Sequence, residues 1–574
     1  MSNKEIPIFS ENTFQLPIEF LDKKKEIPEN LKIDLELEKT VNDDTKPIYK
    51  YVFNPETELG EKSLKAWGKF HTTDKKFLKE SQELYKNLQS IPLEKPIINN
   101  MLTSWKDIHS ESNFLEKFQY IEWDKVKWLN KSAIFLTILS FYNISSPIIQ
   151  LIAPLFILII PFFVIKMMNL PITWNSYYKI LIQNIKNHAI GKLFFSFNKA
   201  KLGQKVYILL AAGMYIWNIY QNIISCYRFY KNSYYIANNF ETINAYLDYT
   251  IEKIKLFHSL TKNYKSYDKF NIKLLLYKDK LQKFHNLIRD LPKNSQKIGK
   301  MKYIGKLMKH FYTLYSDVEL ENTILFSFGF HGYIDSILGI HKNIKNKKIN
   351  SCKFSNKITF ISKEMYHPSI KNPIKNNINM KKNIIITGPN AAGKTTTIKA
   401  TIINLLLSQQ IGFGFYKSSV TSTFDFIHCY LNIPDSSSRD SLFQAEARRC
   451  KNILDIIEKN PNKKHFCIFD ELYSGTNPYE AISSAYSYLK YISKNKNVRF
   501  LLTTHYIKIC KLFNKEKNIN NKSMKTIEKN NSLPVYTYKL ENGISNIKGG
   551  VSVLTNLNYP NNIINITKKV LSDL

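Results

Sequence analysis

The spacing of apolar and polar positions divides the chain into several textures. Residues 1–60 keep no sustained period and carry charge runs such as Asp22-Lys23-Lys24-Lys25-Glu26, which predicts a polar, loosely ordered N-terminal arm. Over 61–125, Leu64, Trp67 and Phe70, then Phe77, Leu78, Leu84, Tyr85 and Leu88, recur at helical spacing and predict a helical region. Between 126 and 170 the polar positions thin out. Ala133–Tyr142 and Pro147–Met168 are two apolar runs separated by Asn143-Ile144-Ser145-Ser146, and the 19 residues from Pro147 to Ile165 carry no charge. That length crosses a bilayer. Lys125, Lys127 and Lys131 precede the runs and Lys166 follows, so a membrane hairpin through 133–168 with both ends cytosolic is expected. A buried helical hairpin, or one dipping into a single leaflet, satisfies the same pattern, because the first run is short and Pro154 and Pro161 interrupt the second. A third apolar stretch, Val206–Ile219, is followed by Gln221 and Asn222 and contains Asn218, which predicts a core helix.

Residues 171–348 read as a helical core or lever region. Ile243, Leu247, Ile251, Ile254, Leu256 and Leu260 form an apolar stripe, continued by Leu274, Leu275, Leu281, Phe284 and Leu287. A plain helical bundle has the same pattern. From about 349 the texture becomes short β runs alternating with helices. Lys357–Ser362, Asn383–Thr387, Phe466–Phe469 and Arg499–Thr503 read as strands, and the alternation predicts an α/β nucleotide-binding domain over 349–574.

Length and charge extend this picture. A chain of 574 residues holds more than one domain. Its 82 Lys+Arg against 47 Asp+Glu give a net charge of +35. Such a charge suits a polyanion, either nucleic acid or an anionic membrane face, although a chain rich in Lys, Asn and Ile is also what AT-rich coding produces. Cys226, Cys352, Cys429, Cys450, Cys467 and Cys510 are scattered without a C-x-x-C pair, so neither a zinc site nor a disulfide framework is indicated. The N-terminus lacks the apolar core of a secretory signal. An intracellular location, with the nucleotide domain cytosolic if the hairpin enters a membrane, is the expectation.

The candidate chemistry lies in the α/β part. Gly388-Pro389-Asn390-Ala391-Ala392-Gly393-Lys394-Thr395 matches G-x-x-x-x-G-K-[ST] between an apolar strand and a helix that opens at Thr396. Glycines let backbone N–H groups wrap a β-phosphate, the helix N-terminus adds a favourable dipole, Lys394 reaches the β- and γ-phosphates, and the Thr395 hydroxyl ligates Mg²⁺. Four apolar residues then end in Asp470-Glu471, at the strand end where ligands collect in a parallel sheet. Asp470 is expected to hold Mg²⁺ and Glu471 to polarise the attacking water. Leu501-Leu502-Thr503-Thr504-His505 ends another strand, and His505 is a candidate partner of the γ-phosphate or the water.

Together these segments resemble the MutS family of DNA mismatch-repair ATPases over about 350–570. TGPNAAGKTT (residues 387–396) is similar to that family's TGPN-x-x-GKS/T, and DELYSGTNPYEA to its DE-x-x-x-GT-x-x-x-[DE]-G. Thr503-Thr504-His505-Tyr506, Asp440 to Glu446, Tyr366-His367-Pro368, Tyr538–Gly543, Gly550 and Tyr559-Pro560 match further segments in order. The resemblance implies a P-loop, ABC-type α/β ATPase domain with ATP and Mg²⁺. It implies that Ser441 acts in trans on the γ-phosphate bound by a partner subunit, so a homodimer or heterodimer is expected. It also implies that Asn390 contacts the γ-phosphate or its water, and that His367-Pro368 with Asn376 or Asn377 borders the adenine. The chain departs from the pattern at Ala391-Ala392, where the family commonly has Met and Gly, and no Phe-x-Glu wedge stands in a suitable N-terminal context. Two functions follow: a DNA-binding clamp driven by ATP, or a membrane-anchored mechanical ATPase without mismatch recognition.

Overall fold

The computed structural model describes residues 6–573 except 11, 41, 43, 89–90, 170, 172, 292–302, 432–440, 528–534, 546–550, 552–553 and 556. The N-terminal segment contains β1 (Lys24–Glu26), α1 (Glu29–Asp34), α2 (Ile48–Phe53), α3 (Glu58–Trp67), β2 (Phe70–Thr72) and α4 (Lys75–Lys86). Then come α5 (Lys95–Ser110), α6 (Phe114–Lys117), α7 (Ala133–Met167), α8 (Trp174–Asn187), α9 (Ala189–Phe195), α10 (Leu202–Thr261), α11 (Asp268–Ile288), α12 (Ile304–Ser316) and α13 (Val318–Lys345). Strands follow: β3 (Asn350–Ser355), β4 (Phe360–Met365), β5 (Asn376–Asn379) and β6 (Asn383–Thr387). After α14 (Lys394–Gln410) come β7 (Phe413–Gly414), β8 (Ser418–Ser422) and β9 (Phe426–Tyr430). The remainder is α15 (Leu442–Lys459), β10 (His465–Asp470), α16 (Pro478–Ser493), β11 (Val498–Thr504), α17 (Ile507–Leu512), β12 (Ile519–Ile527), β13 (Val535–Asn542) and α18 (Asn561–Asp573).

The chain forms two units. One comprises Ile8–Leu93, Lys253–Tyr277 and Leu325–Leu574. Its larger sheet has the order β13-β12-β6-β11-β10-β9. β12, β6, β11, β10 and β9 run parallel, and β13 is antiparallel on the edge. All five residues of β6 are buried, as are His465 to Phe469 of β10. This is why these strands read as unbroken apolar runs: a parallel strand covered on both faces needs no alternation. A second sheet, β5-β4-β8-β3-β7, is mixed. The strand expected at 357–362 starts later, at Phe360.

Residues 8–60 depart from the expected loose arm. Phe14, Leu16, Leu37, Tyr49, Val52 and Phe53 are at most 1% exposed, and they pack within the unit that holds the large sheet. The Asp335 carboxylate accepts from the backbone N–H groups of Glu56 and Thr57 and from the Thr57 hydroxyl. Gln410, at the end of α14, bonds the Tyr49 hydroxyl and the carbonyls of Trp67 and Phe70. The apolar residues here are set by short helices and turns, so they bury without leaving a periodic trace.

The other unit, which includes Glu94–Glu252 and Lys278–Ile324, is helical. Here the expected hairpin of 133–168 is corrected. α7 is one continuous helix of 35 residues. The Asn-Ile-Ser-Ser-Pro segment does not turn, because its hydroxyls take over backbone bonding. Pro147 has no N–H to give the Asn143 carbonyl, and the Ser146 hydroxyl donates to that carbonyl at 3.3 Å. Ser145 donates to Phe141 O at 2.6 Å. Val206–Ile219 is also corrected: it belongs to the 60-residue helix α10, and most of its large apolar side chains are exposed rather than in a core.

Candidate nucleotide site

β6, β10 and β11 lie side by side, in the register Ile468↔Leu501↔Ile384. Their C-terminal ends therefore bring together the loop 388–395, Asp470-Glu471 and His505, which the sequence spaces across more than a hundred residues. Gly393 has φ +93°, a conformation that suits glycine, and a Cβ there would come within 3.1 Å of the Tyr538 ring. α14 starts at the next residue.

Lys394 is the centre of the cluster, with its side chain 5% exposed. Its ammonium donates to the carbonyls of Gly388 (3.0 Å) and Pro389 (3.2 Å), and lies 3.1 Å from His505 Nε2 and 3.8 Å from Glu471 Oε1. Burial holds the Lys394 pKa below its ordinary value, against the pull of Glu471 and Asp470. Glu471 Oε1 is 2.7 Å from His505 Nε2. The hydrogen bond from His505, aided by Lys394, keeps the Glu471 carboxyl below the usual range although burial opposes it. Glu471 is thus an ionised acceptor at neutral pH. Its backbone is left-handed, φ +53°, and its N–H donates to Thr503 O at 3.1 Å. Such a conformation in a non-glycine residue is held only where the surroundings fix it.

Asp470 makes a different set of bonds. Thr395 Oγ1 donates to Asp470 Oδ2 at 2.8 Å, and Thr503 Oγ1 donates to Oδ1. A hydroxyl and a carboxylate at this distance are hard oxygen donors that suit Mg²⁺ once phosphate oxygens and water complete the shell. Among the described residues no cluster of three or more His, Cys, Asp or Glu side chains is placed to hold a metal by itself.

A cavity of about 420 Å³ opens beside the loop. Its wall includes Asn390, Ala391, Gly393 to Thr397 and Glu471, together with His367, Ile370, Pro373, Ile374, Asn376 and Tyr538. This volume suits a small ligand. Burial lowers the His367 pKa to about 4, so its ring is neutral. Asn376 lines the cavity, but its amide is used to hold β13, through Tyr538 O (2.9 Å) and Leu540 N (2.8 Å). Asn377 instead accepts from Glu364 N at 2.8 Å. Ala391, at φ +62°, lies in the cavity wall and Ala392 is buried. Gly388 closes on Met524, and Thr396 reaches the cavity.

Ser441 is elsewhere in this unit. It caps α15, with Gln444 N donating to its hydroxyl at 3.4 Å and its own N–H donating to Gln444 Oε1 at 3.1 Å. It is exposed. Two residues that pattern reasoning left without a role link this helix to the loop after Glu471. Glu446, 2% exposed, accepts from Ser474 N, Ser474 Oγ and Gly475 N at 2.8–3.1 Å. Gly475 packs so closely on Leu442 and Phe443 that a Cβ would come within 2.8 Å of the Phe443 nitrogen. Tyr538 is a third residue whose place emerges only from the fold. Its single signal in the sequence is its position in the last strand. Asp440 and Gly550 lie outside the described residues.

The family model for MutS domain V matches residues 384–574, from β6 through α18. Residues 384–574 are thus a MutS domain V. The DNA mismatch repair protein MutS of Persephonella marina is 31% identical over 199 residues, covering 33% of this chain and 22% of that protein. The one from a Clostridium botulinum strain is 32% identical over 197 residues, covering 34% and 20%. The chain therefore spans about a fifth of the length of the curated relatives it matches. The MutS domain is the part that carries Lys394, Ser441, Asp470, Glu471 and His505, while His367 and the strands β3 to β5 lie before it.

Proposed function

We propose that the MutS domain binds and hydrolyses a magnesium-bound ATP, and that two copies close on each other so that Ser441 of one completes the site of the other. The observation that carries this reading is the convergence at one end of β6, β10 and β11 of Lys394, Glu471 and His505, in mutual contact, with Asp470 bonded to Thr395, beside a cavity of about 420 Å³. In this reading Lys394 leaves the Gly388 and Pro389 carbonyls for the β- and γ-phosphates. Thr395 and Asp470 hold the metal, which supplies charge neutralisation when bound. Glu471, ionised and oriented by His505, takes a proton from the attacking water. Asn390 and Thr396 face phosphate, and His367, Ile374 and Tyr538 enclose the base. The relatives are named DNA mismatch repair proteins, and the +35 charge suits a phosphate backbone, so we propose DNA as the partner of the ATP-driven closure.

The test is ATP turnover by the purified chain with and without Mg²⁺, together with binding to duplex, mismatched and branched DNA across a salt series. Magnesium-dependent turnover, and DNA affinity that falls steeply with salt, are expected. Turnover without DNA binding at low salt overturns the DNA part and leaves the ATPase part standing. No turnover and no nucleotide binding overturn the whole reading.

A further inference from the structure

From Lys125 to Phe240 the chain contains 116 consecutive residues without an Asp or Glu, although the whole protein has 47. The same segment has eleven lysines and one arginine, and they are not spread evenly. Lys125, Lys127 and Lys131 stand before α7, Arg228 and Lys231 stand midway along α10, and the other seven fall between Lys166 and Lys205. Between these groups lie two uncharged runs: 34 residues from Ser132 to Ile165 and 22 residues from Val206 to Tyr227.

The two runs are neighbours in space. Tyr215 OH donates to Gln150 O at 3.2 Å, and Cys226 Sγ lies 3.6 Å from Ile144 O. As numbers rise on α7 they fall on α10, so the helices are antiparallel. The first turns of α7 pack on α12: Leu136 is 1% exposed, and a Cβ on Gly305 would collide with Ala133 O. Beyond Asn143, which bonds Gln119 at 2.7 Å, α7 leaves that packing. Ile144–Ile165 and Val206–Tyr227 are then equal in length, about 33 Å of helix each, close to the hydrocarbon thickness of a bilayer, about 30 Å.

Among the described residues both carry exposed, large apolar side chains. Phe156, Phe163, Leu210, Met214, Ile216 and Trp217 are each 54–69% exposed. The contrast with α13 is direct. Both helices contain a stretch long and apolar enough to cross a membrane, but Val318–Lys345 is 94% buried whereas Ala133–Gln150, which leads into the paired part of α7, is 22% buried. Several polar side chains of the pair bond within it, as Asn222 does to Asn218 O (2.9 Å) and Tyr215 to Gln150 O, whereas Gln150 Oε1 has no partner among the described residues. Each such bond lowers the cost of placing that side chain in lipid. Trp123 and Trp128, exposed beside the first lysine group, and Tyr227 and Tyr230 beside Arg228, are the residue types that favour a headgroup boundary.

We propose that α7 beyond Asn143 and the first half of α10 form a lipid-embedded helix pair, with the flanking lysines and Arg228 set against anionic headgroups. Nucleic acid matches the basic groups but not the surface between them, where Ile, Leu, Phe and Met would meet phosphate. Anionic lipid matches both. The proposal does not rest on the nucleotide site, and its readout uses no nucleotide.

The experiment expresses the full chain and the Leu210→Lys/Ile216→Lys variant, washes membranes with alkaline carbonate, and floats purified protein with phosphatidylcholine vesicles made with and without phosphatidylglycerol. Both substituted positions are exposed, so the variant keeps the far-ultraviolet circular dichroism of the parent in detergent. The parent is expected to stay in the carbonate pellet and to float best with phosphatidylglycerol present. Two lysines in the apolar run are expected to lower the inserted fraction by on the order of a hundredfold. Release of the parent by carbonate, or equal insertion of parent and variant, overturns the proposal. So does a soluble parent oligomer that the variant dissociates, since that makes the face a contact between copies, and so does DNA binding that the variant loses.

Discussion

The proposed site has two halves built in opposite ways. Lys394, Glu471 and His505 are tied to one another inside the chain, and Asp470 to Thr395 beside them, by contacts of 2.7–3.8 Å. Ser441 is exposed at the start of α15, and its hydrogen bonds go to Gln444 within the same capping box. The first half is assembled before any ligand arrives. The second is presented outward and is spent locally on a helix cap. The difference teaches that a single chain can fix the geometry of phosphate and metal chemistry while leaving completion of the site to whatever meets that surface. Glu446 and Gly475 make the halves interdependent, since both fasten the start of α15 to the loop that follows Glu471.

The largest expected effect separates binding from turnover in the internal half. Glu471→Gln keeps the shape of the side chain but removes the base, so hydrolysis should fall by on the order of a thousandfold while ATP binding persists. Single-turnover hydrolysis and equilibrium nucleotide binding check this. Unchanged turnover would give the base role to another group and dissolve the comparison. Next in size is Glu446→Ala, which attacks the link between halves. It leaves the Ser474 and Gly475 donors buried without their acceptor and should cost about 3 kcal/mol, read as a lower urea midpoint with an unchanged slope. A loss of turnover beyond what the unfolded fraction explains would show that the link also positions Glu471.

A third test acts on the two strands that lead into the halves. β9 precedes Ser441 in the chain and β10 ends at Asp470. Their imidazoles meet at His428 Nε2 and His465 Nδ1, 3.1 Å apart. His465 Nε2 faces Asn460 O at 2.9 Å, so it carries the proton there, and His428 Nε2–H donates to His465 Nδ1. Burial lowers the His428 pKa to about 3 and also lowers that of His465. An unfolded histidine titrates near 6.5, so below that pH the unfolded chain binds more protons than the folded one. Stability is then fully present above about pH 6.5 and lost as pH falls toward the folded values. His428 alone accounts for about 2 kcal/mol between pH 7 and pH 5. Urea midpoints at the two pH values should differ less in His428→Gln, which keeps an N–H donor and does not titrate.

What could be read from the sequence follows the same division. β6, β10, β11 and α14 were visible because strands buried on both faces form unbroken apolar runs and because the loop composition is set by phosphate geometry. Residues 8–60 were not, because Phe14, Tyr49 and Phe53 enter the core from short irregular elements. Glu446 is legible only as the end of a motif, since its three hydrogen bonds from Ser474 and Gly475 depend on a fold that brings 446 beside 474. The two-run pattern at 133–168 misled because Pro147 and its serines look like a turn, whereas a hydroxyl that donates to the freed carbonyl lets the helix continue.

The smallest expected effect bears most directly on the outward half. Ser441→Ala removes the cap and should cost about 1 kcal/mol of stability, whether or not Ser441 meets a second subunit. Ser441→Asn separates the roles, because Asn caps as well as Ser but cannot place a hydroxyl on a phosphate. Its stability should equal the parent's, and its turnover should fall about tenfold if one hydrogen bond to a charged oxygen is lost. Mixing decides where that bond is made. When Ser441→Asn and Glu471→Gln chains share a dimer, one site combines an intact Glu471 with an intact Ser441 from the other copy, so the mixture should exceed the summed activities of the two chains measured alone. Without recovery, Ser441 acts within its own chain, and the outward half belongs to the fold rather than to the chemistry.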